Sequence, residues 1–147
     1  MLVVKKFGGS SVADRERILN VARRCIEDYN KGNDVVVVLS AMGKTTDGLI
    51  AKAHEITESP SRRELDMLLA TGEQVSVALM AMAIQSLGVQ AISLNAAQVP
   101  MKTTSAYGQA KLKRSHTERI QNELDARKIV IITGFQGVNK FDDLTTL

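Results

Sequence analysis

The run Val35-Val36-Val37-Val38-Leu39 constrains the fold more than any other stretch of the chain. Four consecutive β-branched residues and a leucine favour a strand, and the lack of polar alternation means that both faces are covered. Such a strand belongs to a parallel sheet with helices on each side. Ile129-Val130-Ile131-Ile132-Thr133 repeats the pattern near the far end. Shorter apolar runs over residues 3–7 and 89–94 supply two more strands.

The intervening segments carry the helical period. Over residues 11–31, Ile18, Ala22, Cys25, Ile26 and Tyr29 form one apolar stripe, with charged residues on the other face. Ser11 and Asp14 have the spacing of a capping box, and Gly32 stands where a helix stops. Residues 48–58 read as a second helix. Ser59-Pro60-Ser61 breaks it, and Ser61 with Glu64 caps a long helical pattern over residues 62–87. Thr71-Gly72-Glu73 interrupts that pattern. A glycine inside a helix costs about 1 kcal/mol against alanine, so a bend or junction is expected there. Residues 95–108 read as a loop or lid, and residues 115–127 as a helix with Ile120 and Leu124 inward. Residues 138–147 are weakly patterned. Strands alternating with helices in a chain of 147 residues predict one α/β unit: a three-layer αβα sandwich with a mainly parallel central sheet.

Composition narrows the function. Aromatic residues make up 3% of the chain and tryptophan is absent, which leaves no stacking platform for nucleic acid. The net charge of +3 is scattered and suits an anionic small substrate. No apolar run approaches the length of a membrane span, and the N-terminus enters a strand directly without a signal peptide, so a cytoplasmic protein is expected. Cys25 has no partner for an internal disulfide, and its place on the apolar stripe marks a buried structural thiol. With His54 and His116 it exhausts the supply of soft metal ligands, so no zinc site is expected.

The chemistry gathers at the ends of the strands. Lys5-Lys6-Phe7-Gly8-Gly9-Ser10-Ser11 places a glycine pair between a strand and a helix. Two glycines let the backbone approach an anion, and a helix N-terminus offers unpaired N–H groups. A glycine pair after a strand also serves as a plain turn. Ser40 to Asp47 and Gly134 to Gly137 are further glycine-bearing loops at carboxyl ends of strands, where open α/β sheets bind ligands. Gly43-Lys44-Thr45 is not a phosphate loop of the Walker type, because Val38 stands where its first glycine is needed. Together Lys6, Ser10, Ser40, Thr46 and Glu73 bring a cation, hydroxyls and a carboxylate to one rim. That set suits phosphoryl transfer, which depends on positioning and charge neutralisation.

Four motifs, in order and spacing, carry a resemblance. Lys6-Phe7-Gly8-Gly9-Ser10-Ser11-Val12, Val37 through Asp47, Leu68-Leu69-Ala70-Thr71-Gly72-Glu73 and Gly134-Phe135-Gln136-Gly137-Val138 closely resemble those of the aspartokinases, within the amino-acid kinase superfamily. The resemblance implies ATP-dependent phosphorylation of the L-aspartate β-carboxylate, with Mg²⁺, on the route to lysine, threonine, methionine and diaminopimelate. It implies that Lys6 neutralises the transferring phosphoryl group, while Phe7, Gly8, Gly9 and Ser10 cradle ATP phosphates. Ser40 would lie at the reaction centre, Thr46 would bond the aspartate, and Glu73 would take its α-ammonium. The family usually has threonine at the place of Ser10, which keeps the hydroxyl. The nucleophile needs no general base, because an aspartate side chain with a pKa near 3.9 is already ionised.

The resemblance further implies that residues 1–147 are the substrate-side, N-terminal part of a catalytic domain. The nucleotide-binding C-terminal part and the ACT regulatory domains are expected to lie outside this chain. A homo-oligomer and an inactive isolated chain are expected. Two alternatives are a different kinase of the superfamily, of the acetylglutamate or uridylate type, and a non-catalytic assembly module. Thr46-Asp47 and Thr71-Gly72-Glu73 argue against the first.

Overall fold

The computed structural model describes residues 1–147. Four parallel strands form the main sheet: β1 (Leu2–Phe7), β2 (Asp34–Leu39), β6 (Ile129–Thr133) and β3 (Ala91–Leu94), in the spatial order β1-β2-β6-β3. Their register aligns Lys6 with Val38 and Leu39 with Thr133, so the carboxyl ends of β1, β2 and β6 finish at one edge. Helices α1 (Arg15–Asn30) and α3 (Arg62–Ser86) cover one face, where Val35, Val37, Leu39, Ile129 and Ile131 meet Val21, Cys25, Val77, Met80 and Ile84. On the other face Val36, Val130 and Ile132 pack against Leu124 of α4 (Glu118–Asp125) and Val99. The three-layer arrangement with a mainly parallel central sheet is therefore present. The unbroken apolar strands are buried as their composition requires.

Local structure departs from the sequence reading in four places. The first helix begins later than residue 11. Residues Gly9–Val12 form a single 3-10 turn, and Asp14, in extended conformation, caps α1 by accepting from the Arg17 N–H at 2.9 Å. Asp14 is thus the cap itself, because its short carboxylate reaches that donor directly. The helix α2 (Thr45–Ile56) starts three residues earlier than expected. The third departure is that α3 runs unbroken through Thr71-Gly72-Glu73. A Cβ on Gly72 would lie 2.9 Å from the Ala41 Cβ. The glycine lets the helix approach the loop after β2 and does not break it.

The fourth departure is a second sheet. Residues expected to be loop or weakly patterned form β4 (Met101–Thr103), β7 (Gln136–Val138) and β8 (Leu144–Thr146). Strand β5 (Leu112–Ser115) takes Ser115, expected to open the last helix, which begins at Glu118 instead, and the strands are ordered β5-β4-β7-β8. These strands have three or four residues each, too short for a periodic signal. Gly137 consequently lies within β7 and not in a loop. His116 falls outside any helix, and both His54 and His116 are exposed.

Helix α3 is long and apolar enough, by length and composition alone, to cross a membrane. Its apolar residues are interrupted by glycine, serine, glutamine and Glu73, so no continuous apolar run of that length exists. Here it is a core helix, with Asp66 and Glu73 buried inside the fold. Cys25 is fully buried, and burial pushes its thiol up to about 11, as a structural thiol requires.

Candidate active site

A cavity of about 450 Å³ opens at the carboxyl edge of the main sheet. Lys6, Gly9, Ser40, Thr46, Glu73 and Phe135 line it, together with Ala41, Gly43, Gly134 and Leu147. They come from β1, the loops after β1, β2 and β6, the helices α2 and α3, and the end of the chain, and the local sequence explains the main placements.

Lys6 projects from the last turn of the pleat in β1. Side chains alternate along a strand, so its neighbour Lys5 points to the opposite face and pairs with Asp28 of α1 at 2.6 Å. The Lys5 ammonium holds the Asp28 carboxyl below the usual carboxylate range. Lys6 is exposed and makes no ion pair within the chain, which leaves its ammonium available to the cavity. Phe7 turns inward to the core, 5.4 Å from the Arg24 guanidinium. Its side chain does not reach the cavity.

The loops after β1 and β2 interlock. The Gly43 N–H donates to the Gly9 carbonyl at 2.9 Å. A Cβ on Gly9 would stand 2.7 Å from the Ala41 carbonyl oxygen, so only glycine permits this approach. Gly8 has open space around it. Ser10 lies outside the cavity lining, with its carbonyl accepting from Arg17 at 2.8 Å. Of the predicted phosphate cradle, Lys6 and Gly9 reach the cavity while Phe7, Gly8 and Ser10 do not line it. Thr46 sits in the first turn of α2, where the main-chain N–H groups have no side-chain cap.

Glu73 enters from α3 and is 2% exposed, with its Oε2 lacking any hydrogen-bond partner. Burial pushes its carboxyl up to about 7; the main chain and the nearby Gln136 amide oppose the shift without cancelling it. A buried carboxylate with an unpartnered oxygen in a residue that lines a cavity is matched by a cationic or hydrogen-donating ligand. Ser76, one turn further along α3, donates its hydroxyl to the Ser40 carbonyl at 2.7 Å. Gln136 donates its Nε2 to the Ala70 carbonyl at 3.1 Å. The same helix thus holds the loop after β2 and the start of β7 around Glu73.

The arrangement places a free cation, a hydroxyl-bearing loop, an uncapped helix start and an unpartnered buried carboxylate around one cavity. It can hold a small molecule that is anionic at one end and cationic at the other. No group of three or more His, Cys, Asp or Glu side chains comes together to hold a metal ion. Sequence reasoning did not single out Phe135 and Leu147 as cavity residues. Phe135 lay within the quoted Gly134–Gly137 motif, whereas Leu147 gave no signal.

This fold and cavity define a class. A profile of the amino acid kinase family matches residues 1–144, and the chain belongs to that family. Among curated proteins it is similar to the aspartokinase of Geobacillus stearothermophilus, 52% identical over 146 residues, which are 99% of this chain and 36% of the relative. Aspartokinase 2 of Bacillus subtilis is 47% identical over 146 residues, again 99% of this chain and 36% of the relative. The solved aspartate kinase from Synechocystis is 43% identical with a TM-score of 0.84, covering 100% of this chain and 24% of that one. Aspartokinase III of E. coli, solved with aspartate and ADP, has the same fold at a TM-score of 0.84 and 24% identity, over 100% of this chain and 43% of that one. The chain spans about a third of the length of the curated relatives it matches.

Proposed function

We propose that residues 1–147 form the substrate-side part of an aspartate kinase catalytic domain. In a polypeptide of its relatives' length it would phosphorylate the L-aspartate β-carboxylate with ATP and Mg²⁺ and work as a cytoplasmic homo-oligomer. The observation that carries this reading is that Lys6 and Glu73 line one cavity. The Glu73 carboxylate, unpartnered at one oxygen, would take the α-ammonium. Thr46 and the uncapped start of α2 take a carboxylate by N–H and O–H donation. Ser40, in the same lining, would border the reacting carboxylate. Lys6 approaches from the β1 side, where a γ-phosphoryl oxygen would accept its charge. ATP with Mg²⁺ supplies the phosphoryl group and part of the neutralisation.

Bringing an anion to a polyanion is the central difficulty of this reaction. A helix start contributes about 0.3–1 kcal/mol when exposed and about 2 kcal/mol when partly buried. The Lys6 ammonium therefore has to supply much of the chain's own share of the stabilisation.

The test has two arms. Titration of the chain with L-aspartate should shift the NMR signals of Thr46 and Glu73, whereas succinate, which lacks the ammonium, should bind at least tenfold more weakly. A chimera carrying the remaining length of the Geobacillus stearothermophilus relative should form an acyl phosphate trapped by hydroxylamine. Equal binding of succinate, or a chimera that phosphorylates acetylglutamate in preference to aspartate, would overturn the assignment.

One observation favours a second role, assembly. The edge strand β1 exposes Leu2 at 57% and Val4 at 61%. Light scattering that showed only monomer over a wide concentration range would remove that reading.

A further inference from the structure

The Asp66 carboxylate is 1% exposed, yet its partners are three neutral donors. Oδ2 accepts the Gly108 N–H and the Thr146 N–H, both at 2.9 Å, and Oδ1 accepts the Thr146 hydroxyl at 2.8 Å. Burying a carboxylate is costly unless its lone pairs are filled. Here the donors that fill them all come from one side, the second sheet and the connection between its strands β4 and β5. One turn earlier on α3, Arg63 grips the same sheet through Asp143 at 2.7 Å, and Tyr107 donates to the other Asp143 oxygen at 2.8 Å.

The consequence reaches the cavity. Thr146 is followed by Leu147, whose N–H donates to the Phe135 carbonyl at 2.8 Å. Leu147 and Phe135 line the cavity. Phe135 holds a left-handed backbone, φ 67°, which a side-chain-bearing residue adopts only when its surroundings impose it. The Ala110 N–H donates to the Thr146 carbonyl at 3.0 Å and ties the 108–110 loop to the same strand. Glu73 lies seven residues after Asp66, two turns along the same helix and about 10 Å up its axis. One rigid element therefore carries both the carboxylate of the cavity and, through Asp66, the wall made by Phe135 and Leu147.

We infer that Asp66 is a positioning residue: its three-donor clamp on Gly108 and Thr146 fixes the Phe135–Leu147 wall relative to Glu73 and so sets the width of the substrate cavity. The reading of the cavity as an amino-acid site is the one proposed above. Asp66 itself touches no ligand.

The test uses the 147-residue chain with Asp66→Ala, Asp66→Asn and Thr146→Val. Asp66→Ala should speed amide exchange at Ala110 and Leu147 at least tenfold, and should lower the Glu73 titration midpoint, read by carbon NMR, as water enters. Amides of β1 and β2 should change less than twofold. Asp66→Asn keeps one oxygen for both N–H groups and should restore most of both readouts. Should Asp66→Ala fail to fold, Thr146→Val decides, with at least threefold faster exchange at Leu147 and an unchanged β2. The inference is overturned if Leu147 exchange and the Glu73 midpoint stay at wild-type values, or if exchange rises uniformly across β1, β2 and β6. L-aspartate binding should weaken at least fivefold in Asp66→Ala. A wild-type chain that binds no L-aspartate would refute the functional reading, while exchange and titration would still judge Asp66.

Discussion

The Ser76 hydroxyl and the Ser40 carbonyl meet at 2.7 Å, joining the long helix to the loop that follows the central strand. Ser76 is 1% exposed and sits one turn beyond Glu73. Removing the hydroxyl leaves a main-chain acceptor without its donor in a partly buried setting. Such a loss costs about 1–3 kcal/mol. Ser76→Ala should therefore lower the unfolding free energy by about 1–2 kcal/mol in urea and weaken L-aspartate binding, because Ser40 and Ala41 lose their tether. Unchanged affinity with reduced stability would mean that the bond supports the fold alone.

Gly72 presents two opposed effects of known size. Alanine is the better helix former by about 1 kcal/mol. Its Cβ would stand 2.9 Å from the Ala41 Cβ, a contact that requires α3 or the cavity loop to move. Overpacking of this kind costs about 1–3 kcal/mol. Gly72→Ala should thus be destabilising by about 1 kcal/mol net. Thermal unfolding that showed a higher midpoint for the variant would put the propensity term ahead and leave the close approach without consequence.

The two adjacent lysines separate structure from chemistry. In an active chimera, Lys6→Ala should reduce kcat at least a hundredfold, about 2.7 kcal/mol by transition-state arithmetic. Lys5→Ala, whose ammonium is directed to Asp28 on the opposite face, should keep kcat within about twofold, or roughly 0.4 kcal/mol. Comparable losses in both variants would show that general surface charge, and not the place of Lys6, governs the reaction.

What could be read from the letters, and what could not, follows from length and from geometry. Val35 to Leu39 and Ile129 to Thr133 announced buried parallel strands because their apolar runs are continuous. The cavity residues Lys6, Ser40, Thr46 and Glu73 were legible because they belong to dense local motifs at strand ends. The second sheet was not, since strands as short as Met101–Thr103 and Leu144–Thr146 hold too few residues for a period to emerge. Gly72 was misread because propensity is local, whereas its reason is a contact with Ala41 that lies 31 positions away in the chain. Asp66 left one trace, a charged residue on the same helix face as Leu69, Ala70 and Val77. A charge at such a position signals a buried polar clamp only when its partners are known, and those partners, Gly108 and Thr146, are remote in sequence.

Glu73 should make stability depend on pH in a direction opposite to that of most carboxylates. Unfolded, it titrates near 4.5; folded, burial raises it to about 7. Between those values the folded chain holds a proton that the unfolded chain has released, so stability falls as pH rises from 4.5 to 7 and is flat outside that window. At about 1.36 kcal/mol per pKa unit, the loss above pH 7 is about 3 kcal/mol. Glutamine keeps the shape and carries no proton to lose. Relative to the wild type, Glu73→Gln should accordingly gain about 3 kcal/mol in urea unfolding between pH 4 and pH 8, while losing affinity for L-aspartate. The ligand should act in the same direction on the wild type: an ammonium beside Oε2 favours the ionised form, so saturating L-aspartate should draw the Glu73 midpoint back toward 4.5. Parallel stability profiles for the two proteins across this range would show that Glu73 is not the buried acid that the cavity requires.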